Sequence, residues 1–123
     1  MKNKIKKTKK RLNHRKNNTD QLVLIYCVYP TKIEARRTAR HLLTEKLIVC
    51  ANIFAPMSSE FVWDGKVCKV KEYGVFFKTI QKKSQQCCKR IKSLHSYQVP
   101  VIAEIKLSSV NKEFLEYARK ILI

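Results

Sequence analysis

Leu47-IVCANIFAPMSSEFVW-Asp64-Gly65-KVCKVKEYGVFFKT-Ile80 is the stretch whose reading decides the fold. Asp64-Gly65 between two β-rich runs is a strong hairpin signal, because a type I′ turn needs φ > 0 at both central residues. A two-residue turn there fixes the register. Trp63 faces Lys66, Val62 faces Val67, Phe61 faces Cys68 and Glu60 faces Lys69. Cross-strand partners share a side of the ladder, so Ser59, Phe61, Trp63, Lys66, Cys68 and Val70 form one face. Glu60, Val62, Val67, Lys69 and Lys71 form the other. Pro56 cannot donate to a ladder and predicts a bulge or bend in the first strand. From Met57 to the turn the arm spans roughly 27 Å. A chain of 123 residues has little core to cover so long an arm. With Phe61 and Trp63 near its tip, the arm calls for a partner.

Working outward, Leu22–Tyr29 (LVLIYCVY) reads as a central strand buried on both faces, ended by Pro30. Thr31-Lys32-Ile33-Glu34 is a capping box, in which the Thr31 hydroxyl takes the Glu34 N–H and the Glu34 side chain reaches back. The helix it starts runs to about Lys46. Ala35, Ala39, Leu42 and Leu43 are its buried stripe, with Arg36, Arg37, Arg40 and Glu45 solvated. A second helix is expected over about Gln81–Leu94, with Cys87, Ile91 and Leu94 inward. After the connection His95-Ser96-Tyr97-Gln98-Val99-Pro100, Val101, Ala103, Ile105 and Leu107 alternate with Ile102, Glu104 and Lys106 as a half-buried strand. Asn111 can cap a last helix, where Phe114, Ala118, Ile121 and Leu122 share a face. The order is an α+β, ferredoxin-like βαββαβ sandwich with a long central hairpin and a C-terminal helix. Its helices cover one sheet face, and the other must meet solvent, RNA or another subunit.

Composition narrows the function classes. The net charge is +18, of which residues 1–20 supply +8. Those residues read as a disordered basic arm able to grip nucleic acid, and 21–123 as the folded domain. The longest apolar runs fall well short of the roughly 18 residues of a membrane span, and no signal-type segment is present. The chain is therefore expected in the cytoplasm. Five cysteines without CxxC spacing indicate neither a disulfide scaffold nor a structural zinc site. No nucleophile–base–orienter set, phosphate loop or acid-rich metal site appears, so a non-enzymatic role is expected.

Two constellations remain. Cys50 and His95 suit soft or borderline divalent metals such as copper and zinc, or are a packed thiol and a hydrogen-bonded loop imidazole. Lys71-Glu72-Tyr73-Gly74-Val75-Phe76-Phe77, with Tyr26 on the first strand, echoes the base-stacking strands of RNA-recognition motifs. Here Glu72 replaces a glycine and Lys78 an aromatic. The alternative is that Tyr73, Phe76 and Phe77 are sheet core.

Five pieces resemble the CutA family of divalent-cation tolerance proteins in order and spacing. They are Val49-Cys50-Ala51-Asn52-Ile53, Trp63-Asp64-Gly65-Lys66-Val67, Glu72, Lys78-Thr79, and Leu94-His95-Ser96-Tyr97-Gln98-Val99-Pro100. The resemblance covers about residues 22–123. It implies a homotrimer related to the PII signalling proteins, with the arms packed across subunits and the bare sheet faces inward. It also implies a role in tolerance of divalent metals, often copper, without an established reaction. Carried over by position, the pocket residues are Cys50, Trp63, Lys78, His95 and Tyr97, with Cys50 and His95 as ligand candidates for Cu(II) or another divalent metal. The family's acidic segment is here Cys68-Lys69-Val70-Lys71, its loop Pro and Glu are Ser96 and Gln98, and the Glu often following that loop is Val101. Ser96 is expected only to loosen the turn; the other departures imply a weaker cation site and a cationic rim.

Overall fold

The computed structural model describes residues 20–123. The expected basic arm, and any grip on nucleic acid through it, falls outside the described residues except for Asp20. In chain order the elements are β1 (Leu22–Tyr29), α1 (Lys32–Thr44), β2 (Cys50–Ile53), β3 (Met57–Trp63), β4 (Lys66–Ile80), α2 (Gln81–Leu94), β5 (Ile102–Lys106) and α3 (Lys112–Leu122). The sheet is antiparallel in the order β2-β4-β1-β5, with β3 also pairing β4. This is the ferredoxin-like arrangement. Among the described residues no helix is long and apolar enough to cross a membrane.

The hairpin has the register its turn dictates: Trp63 pairs Lys66, Val62 pairs Val67, Phe61 pairs Cys68 and Glu60 pairs Lys69. Asp64 (φ 53°) and Gly65 (φ 75°) both take the left-handed conformation that a type I′ turn requires. Pro56 divides one long strand into β2 and β3, which pair with successive halves of the 15-residue β4. The ladder persists to Phe54, whose N–H donates to the Gly74 carbonyl at 2.9 Å. The chain then bends at Pro56 and resumes pairing at Met57.

The main core lies between the sheet and helices α1 and α2. Ile25, Cys27, Tyr29, Val75 and Phe77 point from β1 and β4 into Ala35, Ala39, Leu42, Cys87 and Ile91. Each large apolar side chain buried here contributes roughly 1.5–3 kcal/mol. Helix α1 differs from expectation at one position of its stripe. Thr38 is buried, whereas Leu43 is 42% exposed. The helix ends at Thr44, and Lys46 (φ 56°) turns the chain toward β2.

The second sheet face is not entirely bare. Ala118 and Leu122 of α3 pack on Leu22, Val49 and Ile80, covering the end where β1 begins. Asn111 stands at the α3 N-cap, but its side chain makes no capping bond. Beyond α3 the face remains open. There Tyr26 meets Phe76 edge-on at 6.0 Å, and Phe76 meets Phe54 at 5.0 Å. In β5 the alternating apolar set points to this open side: Ala103 and Ile105 pair with Tyr26 and Leu24, and Ile105 is 40% exposed. Glu104 points under α2 and accepts a hydrogen bond from Ser84 Oγ at 2.9 Å. Only Ile102, packed against the main core, and Ala103 are half-buried, so the side turned to the helices is that of Ile102 and Glu104, the reverse of the pattern the alternation suggests.

Candidate functional site

A cleft of about 510 Å³ opens between one face of the β3–β4 arm and the α2–β5 connection. Phe61, Trp63 and Val70 line it from the arm, Val28 from the end of β1, and Tyr97 and Val99 from the connection. The two-residue turn is the local cause, since its register puts Phe61, Trp63, Val70 and Glu72 on one face. Glu72, 8% exposed, also lines the cleft, and its Oε2 accepts the Tyr97 hydroxyl at 2.5 Å. Burial and the adjoining Glu72 carboxylate push the Tyr97 phenol well above its ordinary range, so it stays protonated and donates.

Tyr97 is held in place by the residues behind it. The His95 side chain is fully buried and stacks on Tyr29 with ring centroids 4.4 Å apart. The Tyr97 N–H donates to His95 Nδ1 at 3.0 Å. Nδ1 is therefore the unprotonated nitrogen, and Nε2–H donates to the Val28 carbonyl at 2.7 Å. Glu34 fixes the next link, accepting the Ser96 N–H at 3.0 Å and the Ser96 hydroxyl at 2.6 Å. Half of the expected capping box forms: Thr31 Oγ1 accepts the Glu34 N–H at 3.1 Å. The Glu34 carboxylate, instead of reaching back, holds the Ser96 loop. Ser96 was expected only to loosen this turn, yet its hydroxyl is one of the turn's ties.

The family described as "CutA1 divalent ion tolerance protein" matches residues 23–120. The chain belongs to the CutA1 family. The divalent-cation tolerance protein CutA of Thermococcus kodakarensis is 37% identical over 102 residues, covering 83% of this chain and 97% of that protein. Its counterpart in Archaeoglobus fulgidus is 39% identical over 93 residues, covering 76% of this chain and 90% of the relative. The solved structure of the periplasmic divalent cation tolerance protein CutA from A. fulgidus superposes with a TM-score of 0.81 at 35% identity, over 84% of this chain and all of that one.

The residues that the CutA resemblance singles out fall into two groups. Trp63 and Tyr97 share the cleft, with His95 directly behind Tyr97. Cys50 and Lys78 are cross-strand partners elsewhere, and the Lys78 ammonium lies 5.4 Å from the centre of the Phe114 ring. Lys78 in turn pairs with Leu24, four residues from Val28, so the groups are separated by roughly 13 Å of strand. His95, stacked on Tyr29, is on the α1–α2 side of the sheet, whereas Cys50 packs with the cluster around α3 on the other side. Cys50 and His95 of one chain therefore do not share a ligand set, and both His95 nitrogens are already engaged. Among the described residues no three or more His, Cys, Asp or Glu side chains gather as a metal site. One chain alone does not fit a resident copper ion.

The register gives the RNA-recognition reading no support. Tyr73 pairs Tyr29 on the helix-covered face with buried Phe77, while Tyr26 and Phe76 pair on the open face. The rings do not make one stacking platform. Sequence reasoning passed over Glu72 and Glu34 as site residues. Glu72 carried a signal, as an acid on the Phe61–Trp63 side of a strand otherwise rich in lysine. Glu34 carried none, since its partner is 62 positions away.

Proposed function

We propose that this CutA1-family chain works as a non-catalytic homotrimer in the cell's tolerance of divalent cations. The observation that carries the reading is the apolar surface that a single chain leaves open. Val62 and Val67, paired near the tip of the arm, are 69% and 79% exposed, and the aromatic face around Phe54 and Phe76 has no layer over it. Surface of this kind, on a long two-stranded arm, is what subunit association buries. Phe61 and Trp63 overlook the chain's own cleft, so the Val62–Val67 face is the one left for a neighbour.

In this reading a divalent ion is cargo or signal, not a resident cofactor held by Cys50 and His95 of one chain. Lys69 and Lys71, on the return strand of the arm, oppose its approach by about 1 kcal/mol or less each at moderate salt. Titration with Cu(II) or Zn(II) tests this. Binding is expected to be weak, to fall in Cys50→Ser, and to be altered in His95→Gln only as far as the fold loosens. Tight binding abolished equally by both substitutions, without loss of stability, would show instead that they ligate together.

A further inference from the structure

The chemistry of the cleft beside Tyr97 is opposite to that of the rest of the molecule. The chain carries 27 Lys and Arg against 9 Asp and Glu. None of the residues lining the cleft is a Lys or Arg; Glu60 is a second carboxylate on its wall, and Phe61, Trp63, Val70 and Val99 are apolar or aromatic. Glu72 Oε2 holds the Tyr97 hydroxyl, while Oε1 has no hydrogen-bond or ion-pair partner among the described residues. Phe61 and Trp63 lie on the same face of the arm, 40% and 48% exposed.

A carboxylate this buried, with one oxygen unanswered, favours a cation at the cleft. A bare divalent ion asks for several oxygen, nitrogen or thiolate ligands, whereas most of this wall is carbon. An anion would be repelled, and a neutral apolar molecule would leave Glu72 Oε1 without a partner. A cation with an apolar body satisfies both halves of the site: its charge meets Glu72, and its body and π-facing charge meet Phe61 and Trp63. A volume of about 510 Å³ lies within the usual range for small-molecule sites. The geometry points to this cleft as a binding site for an organic ammonium ion. The inference concerns the cleft of one chain and is tested apart from its assembly.

The chain supplies its own reporter, because Trp63 is its only tryptophan. The full-length protein is titrated with benzyltrimethylammonium chloride while Trp63 emission is followed, against sodium chloride at equal ionic strength and neutral benzyl alcohol. A saturable change with the ammonium compound alone is expected. Glu72→Gln should weaken it about tenfold, since a charge-assisted contact is lost. Tyr97→Phe should keep it, because the carboxylate remains. Should Glu72→Gln fail to fold by circular dichroism, Val99→Lys adds a cation at a 68% exposed wall position without disturbing the core. It should weaken binding comparably. An unsaturable response, an equal response to benzyl alcohol, or binding unchanged in these charge variants would overturn the inference. Mass measured on the same samples separates the two readings: a trimer without binding defeats only this site, and a monomer that binds defeats only the assembly.

Discussion

Glu34 shows how much a single side chain organises here. It ties α1 to the Ser96 loop, and that loop carries Tyr97 to Glu72. Glu34→Ala is expected to lower unfolding free energy by about 1–3 kcal/mol in urea denaturation. Glu34→Gln should lose less, since an amide oxygen still accepts from Ser96. A null effect of both would mean that the loop is held by the His95 stack alone. The buried thiols make a second prediction. Burial pushes Cys27 up to about 11 and Cys87 up to about 12 from an ordinary 9.0. Unfolded thiols therefore lose their protons before folded ones, and the unfolded state binds fewer protons in that window. The contribution of these thiols to stability is full below pH 9 and is lost as pH rises toward 11 to 12. Thermal unfolding from pH 9 upward should show a falling midpoint, and a shallower fall in the Cys27→Ala, Cys87→Ala double variant. Equal slopes would contradict the assignment. Thr31 was legible as a cap because its partner is three residues away. The Glu34–Ser96 tie was not, because it exists only once the two ends of the domain meet.

Among the elements, the arm follows from a short-range cause. Asp64-Gly65 sets the turn, the turn sets the register, and the register sets which side chains face the cleft. That chain of causes is local, which is why the hairpin could be read without the rest of the fold. The side of β5 turned to the core depends instead on what α2 lays over Glu104, and alternation alone does not tell one face from the other. Gly74 marks where β4 passes from the arm into the body. A Cβ there would meet Phe54 Cδ2 at 3.4 Å, Met57 Cε at 3.5 Å and Tyr26 Cε1 at 3.6 Å. Alanine is expected to fit with a small cost, and valine to cost about 1–3 kcal/mol by crowding these rings. Calorimetry on the two variants checks this, and equal melting temperatures would show that the rings yield freely. At the tip, Val62→Glu should leave the unfolding midpoint of the isolated chain nearly unchanged, since the position is 69% exposed. The same change should weaken assembly, read as a shift to slower sedimentation. An unchanged sedimentation profile would place the subunit contact elsewhere.

At the scale of the whole molecule, one chain has three unfinished parts: an arm longer than its body covers, an aromatic sheet face covered only at its α3 end, and family pocket residues split between two ends of the sheet. A second and third copy would address all three. Association is all the more demanding because the chain's net charge of +18 makes like subunits repel at low salt. Salt should therefore strengthen the assembly, in contrast to its effect on binding to a polyanion. Static light scattering at moderate salt, with and without added Cu(II), reads the mass of the assembly itself. A trimer gives three times the chain mass of 14.5 kDa in both conditions. A mass of one chain in both, at micromolar concentration, would contradict it.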